Sequence, residues 1–178
     1  DSTHADSSVD FGIAGARTVR LVGGEATVAK VKDELTLSRW VHFDTHAEQD
    51  LREPSLGSLV LADGRIGILE LAAMTHDGDF AGLAACQTAQ GGIDVPDEVI
   101  TVASALHYTG YRHVVASLWS LGDSTAAAVF GDLYKGLSQG GRFEAERAAR
   151  ALDAEVRGLK DAHPDVPHVW ASLIHIGL

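Results

Sequence analysis

The chain has 178 residues, 46% of them hydrophobic and 22% charged. At about 150 residues per domain this is one domain with a short appendage, with enough apolar material for a full core and too much for a disordered chain. Its 14 Lys and Arg stand against 25 Asp and Glu, a net charge of −11 with no basic cluster longer than a pair, which argues against a nucleic-acid partner.

No apolar run approaches the roughly 18–20 residues of a membrane span, so no membrane role is expected. An acidic chain can attract a basic peptide, although such a charge is also an ordinary solubility device. Cys86 is the only cysteine, which excludes an internal disulfide and a multi-Cys metal site. The opening residues Asp1-Ser2-Thr3-His4-Ala5-Asp6 are polar, unlike a signal peptide, and there is no initial Met. Together these imply a cytoplasmic piece of a longer polypeptide. Residues 1–16 are Ser-, Asp-, Gly- and Ala-rich and read as a flexible leader or linker remnant, with the folded domain over 17–178.

In chain order, Arg17 to Val22 reads as a strand closed by Gly23-Gly24. Val28, Val31 and Leu35 at helical spacing predict a helix to about Leu37. The stretch from Arg39 to Thr45 reads as a buried strand, and the segment with Pro54 and Gly57 as a loop. Leu59 to Ala62 and Gly67 to Leu69 flank Asp63-Gly64 as a hairpin. A short apolar strand, Phe80 to Ala85, leads into Cys86. Pro96-Asp97-Glu98 is an acidic first turn for a helix bearing Val99, Val102, Ala103 and Leu106, ended by Gly110. His113 to Trp119 is another buried strand. Asp123 or Ser124 caps a helix with Ala126, Phe130, Leu133 and Leu137 inward, stopped by Gly140-Gly141. A further helix puts Ala149, Leu152, Val156 and Leu159 inward, and Pro164 and Pro167 break the chain before a last strand, Val169 to Ile176. Strands alternating with helices imply a largely parallel sheet covered on both faces.

In such a sheet, ligands gather beyond the carboxyl ends of the strands. One strand runs into Thr45-His46 and another into Cys86-Gln87. If those strands are neighbours, His46 and Cys86 emerge at one rim, where an imidazole lowers the thiol pKa and the pair can act as nucleophile and general base in acyl transfer. Taken singly, Cys86 reads as a buried filler and His46 as an ordinary strand-end residue; only their joint position carries the catalytic reading. His42 and His46 sit on one strand face about 13 Å apart (roughly 3.3 Å per residue), too far for one metal ion, so neither a metal nor a cofactor is expected. Asp44, on the same strand face, is a candidate to orient an imidazole.

The blocks VHFDTH at 41–46, SLVLADG at 58–64, ACQTAQGG at 85–92, PDEVITVASALHYTGYRHVVASLWSLGD at 96–123 and HVWASLIHIG at 168–177 resemble the CHAT domain. That family comprises caspase- and separase-like cysteine peptidases, commonly joined to TPR repeats in bacteria. The resemblance covers about residues 17–178 and implies a caspase-like three-layer α/β/α sandwich with a mostly parallel central sheet.

It also implies a Cys–His dyad at Cys86 and His46. The family's usual Gly after the histidine is Ala47 here, so the backbone amides of Ala47 and Cys86 form the expected oxyanion pair, with a strain penalty if the turn at Ala47 requires positive φ. The family's Glu after the cysteine is Gln87, which removes a negative charge beside the thiol. Asp123 matches the acidic floor of the S1 pocket, which would favour Arg or Lys at P1, and it also suits a helix cap; the two roles are not exclusive. Trp119 either walls that pocket or fills the core. Asp94 and Asp97 line the acidic side of the cleft or are simply solvated.

The leading function is thus a cysteine endopeptidase acting on a protein or peptide substrate and latent until attached TPR or other regulatory domains, or a partner, activate it. An alternative is a catalytically inactive CHAT-like interaction module, which Ala47 favours. A flavodoxin-like nucleotide binder fits the strand–helix alternation, but Gly23-Gly24 and Gly91-Gly92 match no phosphate-loop spacing.

Overall fold

In the computed structural model, which describes residues 17–48, 53–84, 101–119, 121–139 and 141–177, strands and helices alternate along most of the chain. The helices are α1 (Val28–Leu37), α2 (Ile68–Ala72), α3 (Val102–Tyr108), α4 (Asp123–Leu137), α5 (Ala148–Ala162) and α6 (Pro167–Trp170). The strands are β1 (Trp40–Phe43), β2 (Ala47–Glu48), β3 (Ser58–Val60), β4 (Arg65–Gly67), β5 (Phe80–Leu83), β6 (His113–Ser117), β7 (Ser138–Gln139), β8 (Arg142–Phe143) and β9 (Leu173–Gly177). The main sheet has the order β1-β5-β6-β9, with β1, β5 and β6 parallel and β9 antiparallel. A smaller antiparallel sheet, β2-β3-β4, holds the hairpin.

Side-chain alternation along the central strands separates two apolar layers. Ala81 and Leu83 of β5 and Val114 and Ala116 of β6 pack with α1, α2, α3 and the hairpin. Phe80, Val115 and Leu173 face the other way, against α4 and α5. This is the expected three-layer arrangement, with a mostly parallel sheet between helical layers.

Several helices form where their periodicity placed them. Thr27 caps α1 by accepting from the Lys30 N–H, and Val31 and Leu35 are buried. In α4, Ala126, Phe130, Leu133 and Leu137 all point inward. Other elements differ from expectation. No strand forms over 17–22: Arg17 is held by two hydrogen bonds to Glu34 of α1, and Val19 and Val22 are exposed. A β-branched run needs a strand beside it to satisfy its backbone, and among the described residues no strand pairs with this one.

The hairpin closes through the four residues 61–64. Ile68 and Leu71 are fully buried one helical turn apart, so the chain after Gly67 turns into α2 instead of continuing the strand. α3 begins at Val102 behind a capping box, in which Thr101 accepts from the Ser104 N–H and Ser104 Oγ from the Thr101 N–H. Pro96-Asp97-Glu98 and Val99, expected to open that helix, lie outside the described residues, as do residues 1–16. α4 is capped by Gly122 without a side-chain bond, so Asp123 is its first residue and not its cap. Ala148, not Ala149, is the buried first residue of α5, because it lies four residues before buried Leu152. Pro167 starts the short helix α6, and the last strand begins only at Leu173.

One polar pair lies within the α4 layer. Tyr134 Oη of α4 and His42 Nδ1 of β1 share a hydrogen bond of 2.6 Å, and the imidazole packs edge-on against Phe130 and Tyr134. Desolvation pushes the His42 pKa down to about 4, opposed by the negative charge of Asp44. At the far end of β6, His113 Nδ1 and His175 Nε2 are 3.1 Å apart in a stacked pair, and burial lowers both pKa values. All three rings bind a proton less readily folded than unfolded, so stability falls as pH drops below the unfolded value of about 6.5. For His42 alone the loss is about 2 kcal/mol by pH 5. Urea unfolding at pH 7 and pH 5 should show a smaller acid-side loss for His42→Asn than for wild type; equal losses would contradict the assignment.

Candidate active site

Because β1, β5 and β6 run parallel, their carboxyl ends share one rim, and antiparallel β9 brings its preceding helix α6 to the same side. β1 and β5 are direct neighbours in the register Phe43↔Leu83, and the Ala84 N–H extends the ladder to the Phe43 carbonyl at 2.9 Å. His46 follows Phe43 by three residues and Cys86 follows Leu83 by three. The condition that the sequence left open, adjacency of the two strands, is met. Cys86 and Asp94 themselves lie outside the described residues, as does Asp97.

His46 is exposed and lies between β1 and β2. The hairpin holds its backbone: the Val60 N–H donates to the His46 carbonyl at 2.8 Å, and the Thr45 hydroxyl donates to the Val60 carbonyl at 2.5 Å. That bond makes Ala47 and Leu59 the next, non-hydrogen-bonded pair of the antiparallel ladder. The Ala47 N–H therefore points away from β3, free of the hairpin's own ladder. Ala47 is the first residue of a strand, so its backbone is extended and the positive-φ penalty does not arise. Exposed Asp44 acts electrostatically on His42.

On the other side of β5, Trp119 stands two residues beyond β6. It is half-buried, and its indole N–H donates to the His168 carbonyl of α6 at 2.7 Å, so it belongs to the rim and not to the apolar interior. Asp123 is the first residue of α4. The rim thus runs from His46 after β1, past the end of β5, to Trp119, the start of α4 and α6. Among the described residues, no group of three or more His, Cys, Asp or Glu could hold a metal ion, and no helix is long and apolar enough to cross a membrane.

Comparison with family profiles matches residues 5–178 to the CHAT domain. The chain belongs to the CHAT domain family. That family is caspase-like and peptidase-related, in keeping with the three-layer fold around a mostly parallel sheet. No curated protein matches this CHAT domain in sequence.

Sequence reasoning missed Thr45 and Val60 as supports of the turn at His46 in this CHAT domain, and it missed the His42–Tyr134 bond. The Asp63-Gly64 signal located the hairpin but gave no sign that its inner strand grips the residues around His46. The sequence around His42 raises only the question of a metal pair with His46, since nothing local points to a tyrosine 92 residues away.

Proposed function

We propose that the chain is a cysteine endopeptidase in which Cys86 is the nucleophile and His46 its proton partner. The observation that carries this reading is the direct parallel pairing of β1 with β5, from which the segments bearing the two residues depart at one rim. In the proposed reaction, His46 accepts the thiol proton and the sulfur attacks the scissile carbonyl carbon. The oxygen becomes an anion that the N–H groups of Ala47 and Cys86 stabilise. Collapse breaks the C–N bond while His46 returns its proton to the leaving amine, leaving a thioester. Water, deprotonated by His46, then hydrolyses the thioester to a carboxylic acid and the free thiol.

Asp123, with Trp119 and Asp94, belongs to the S1 side of this proposed cleft and favours Arg or Lys at P1 through a charge-assisted hydrogen bond. Attached TPR or other domains, or a partner, are the proposed source of activation. The competing reading, an inactive interaction module, rests on Ala47 in place of Gly; the extended backbone at Ala47 takes the strain penalty out of that argument.

An arginyl chloromethyl ketone tests the proposal, because only a competent thiolate beside a working basic-specific pocket reacts with it quickly. The expected result is one adduct per chain by intact mass, mapped to the peptide containing Cys86, and little reaction with a glutamyl analogue. No adduct, or one on another residue, counts against the peptidase reading.

A further inference from the structure

Thr45 precedes His46 and takes no part in the chemistry above. Its hydroxyl donates to the Val60 carbonyl at 2.5 Å, while the Val60 N–H donates to the His46 carbonyl at 2.8 Å. Both backbone polar groups of one residue, the last of β3, are thus committed to the two residues that turn the chain from β1 into β2. That anchor is itself rigid. Neighbouring Leu59 is fully buried, and the hairpin loop is locked to α1: the Asp63 carboxylate accepts from the Val28 N–H at 2.8 Å, and the Ala62 N–H donates to the Ala26 carbonyl at 3.0 Å. His46, by contrast, is exposed, so packing does little to aim its ring and the backbone on either side must do so.

We propose that Thr45 is a positioning residue: its hydroxyl, clamped to Val60, sets the turn that aims the His46 imidazole and leaves the Ala47 N–H pointing away from the hairpin. The inference rests on the peptidase reading of His46 and deepens it. Thr45 touches neither substrate nor reacting atoms; it acts through its neighbour. Without the hydroxyl, one of the two bonds at this turn is lost, the bend between β1 and β2 gains freedom, and the imidazole samples directions that miss the thiol.

Thr45→Val keeps the branched shape and deletes the donor, whereas Thr45→Ser keeps the donor and deletes a methyl. Thr45→Ala serves as a second deletion in case the valine methyl is poorly accommodated. The full chain is assayed with an arginyl reporter peptide, beside the rate of Cys86 alkylation by the arginyl chloromethyl ketone and the thermal midpoint. Displacements near 1 Å at a reacting group cost up to about 100-fold, so kcat of Thr45→Val should fall about 10- to 100-fold. KM should stay within about twofold, because substrate binding is untouched. Thr45→Ser should recover most of the lost rate, and alkylation should slow in parallel with kcat.

Wild-type activity in both Thr45→Val and Thr45→Ala overturns the inference while leaving the peptidase reading intact. A fall in thermal midpoint with kcat unchanged, or an equal loss of kcat in the serine variant, also overturns it, since either marks a merely structural role. A wild-type chain that neither hydrolyses the reporter nor is alkylated at Cys86 overturns the peptidase reading itself, and the inference with it.

Discussion

Cys86→Ala is expected to abolish hydrolysis of an arginyl or lysyl reporter, and His46→Ala to lower it by about 10³- to 10⁴-fold, the range that a positioned general acid–base spans. The two residues act as one unit, so the double variant should be no slower than Cys86→Ala alone. Neither change should alter the fold. His46 is exposed, and its backbone bond to Val60 does not involve the side chain. Circular dichroism and the thermal midpoint should therefore match wild type. A Cys86→Ala chain that cleaves as fast as wild type would falsify the proposed chemistry, because no other residue in the sequence carries a thiol.

The largest expected effect on stability comes from Gly82→Ala, four residues before Cys86. A Cβ at this position would press against Tyr134 Oη and stand 2.9 Å from His42 Nδ1 and 3.3 Å from Phe130. The glycine is needed here for space, not for its backbone angles: it lies within β5, and its missing side chain makes the slot in which Tyr134 and His42 meet. Overpacking of a core costs about 1–3 kcal/mol. Weakening the hydrogen bond between buried Tyr134 and half-buried His42 adds up to about 1–3 kcal/mol. A combined loss of about 3 kcal/mol corresponds to a fall of about 6–12 °C in thermal midpoint for a chain of this size. Tyr134→Phe, which deletes only the hydroxyl, should lose less. If Gly82→Ala melts with wild type, the packing between β1, β5 and α4 is looser than described.

The separation between what was legible and what was not follows the range of each interaction. α1 and α4 were readable because Val31 and Leu35, or Phe130, Leu133 and Leu137, repeat at a period that belongs to the helix itself. Ile68 and Leu69 misled because a short apolar pair fits a strand or a helix equally, and burial of Ile68 with Leu71 decided for the helix. Arg17 to Val22 misled in the opposite sense: its composition suits a strand, but a strand exists only where another strand accepts its backbone. Ala149 missed by one position because small residues mark helix faces weakly, and only contact selected Ala148.

The candidate site divides in the same way. The residue types at 46 and 86, and the approximate strands leading to them, were legible, and so was the likeness to CHAT domains that the family match bears out. The support around His46 was not. The Thr45–Val60 bond joins residues 15 apart, and the His42–Tyr134 bond residues 92 apart. By itself the amino-acid order determined the class of the protein: an acidic chain of alternating strands and helices with one thiol, because composition and local periodicity are properties of neighbouring residues. Only the tertiary structure decided that β5 lies between β1 and β6, that Val60 grips the turn at His46, and that Gly82 opens space for a hydrogen-bonded tyrosine–histidine pair. Strand order and side-chain convergence are chosen among distant segments by how much surface and how many backbone groups the whole chain can satisfy at once.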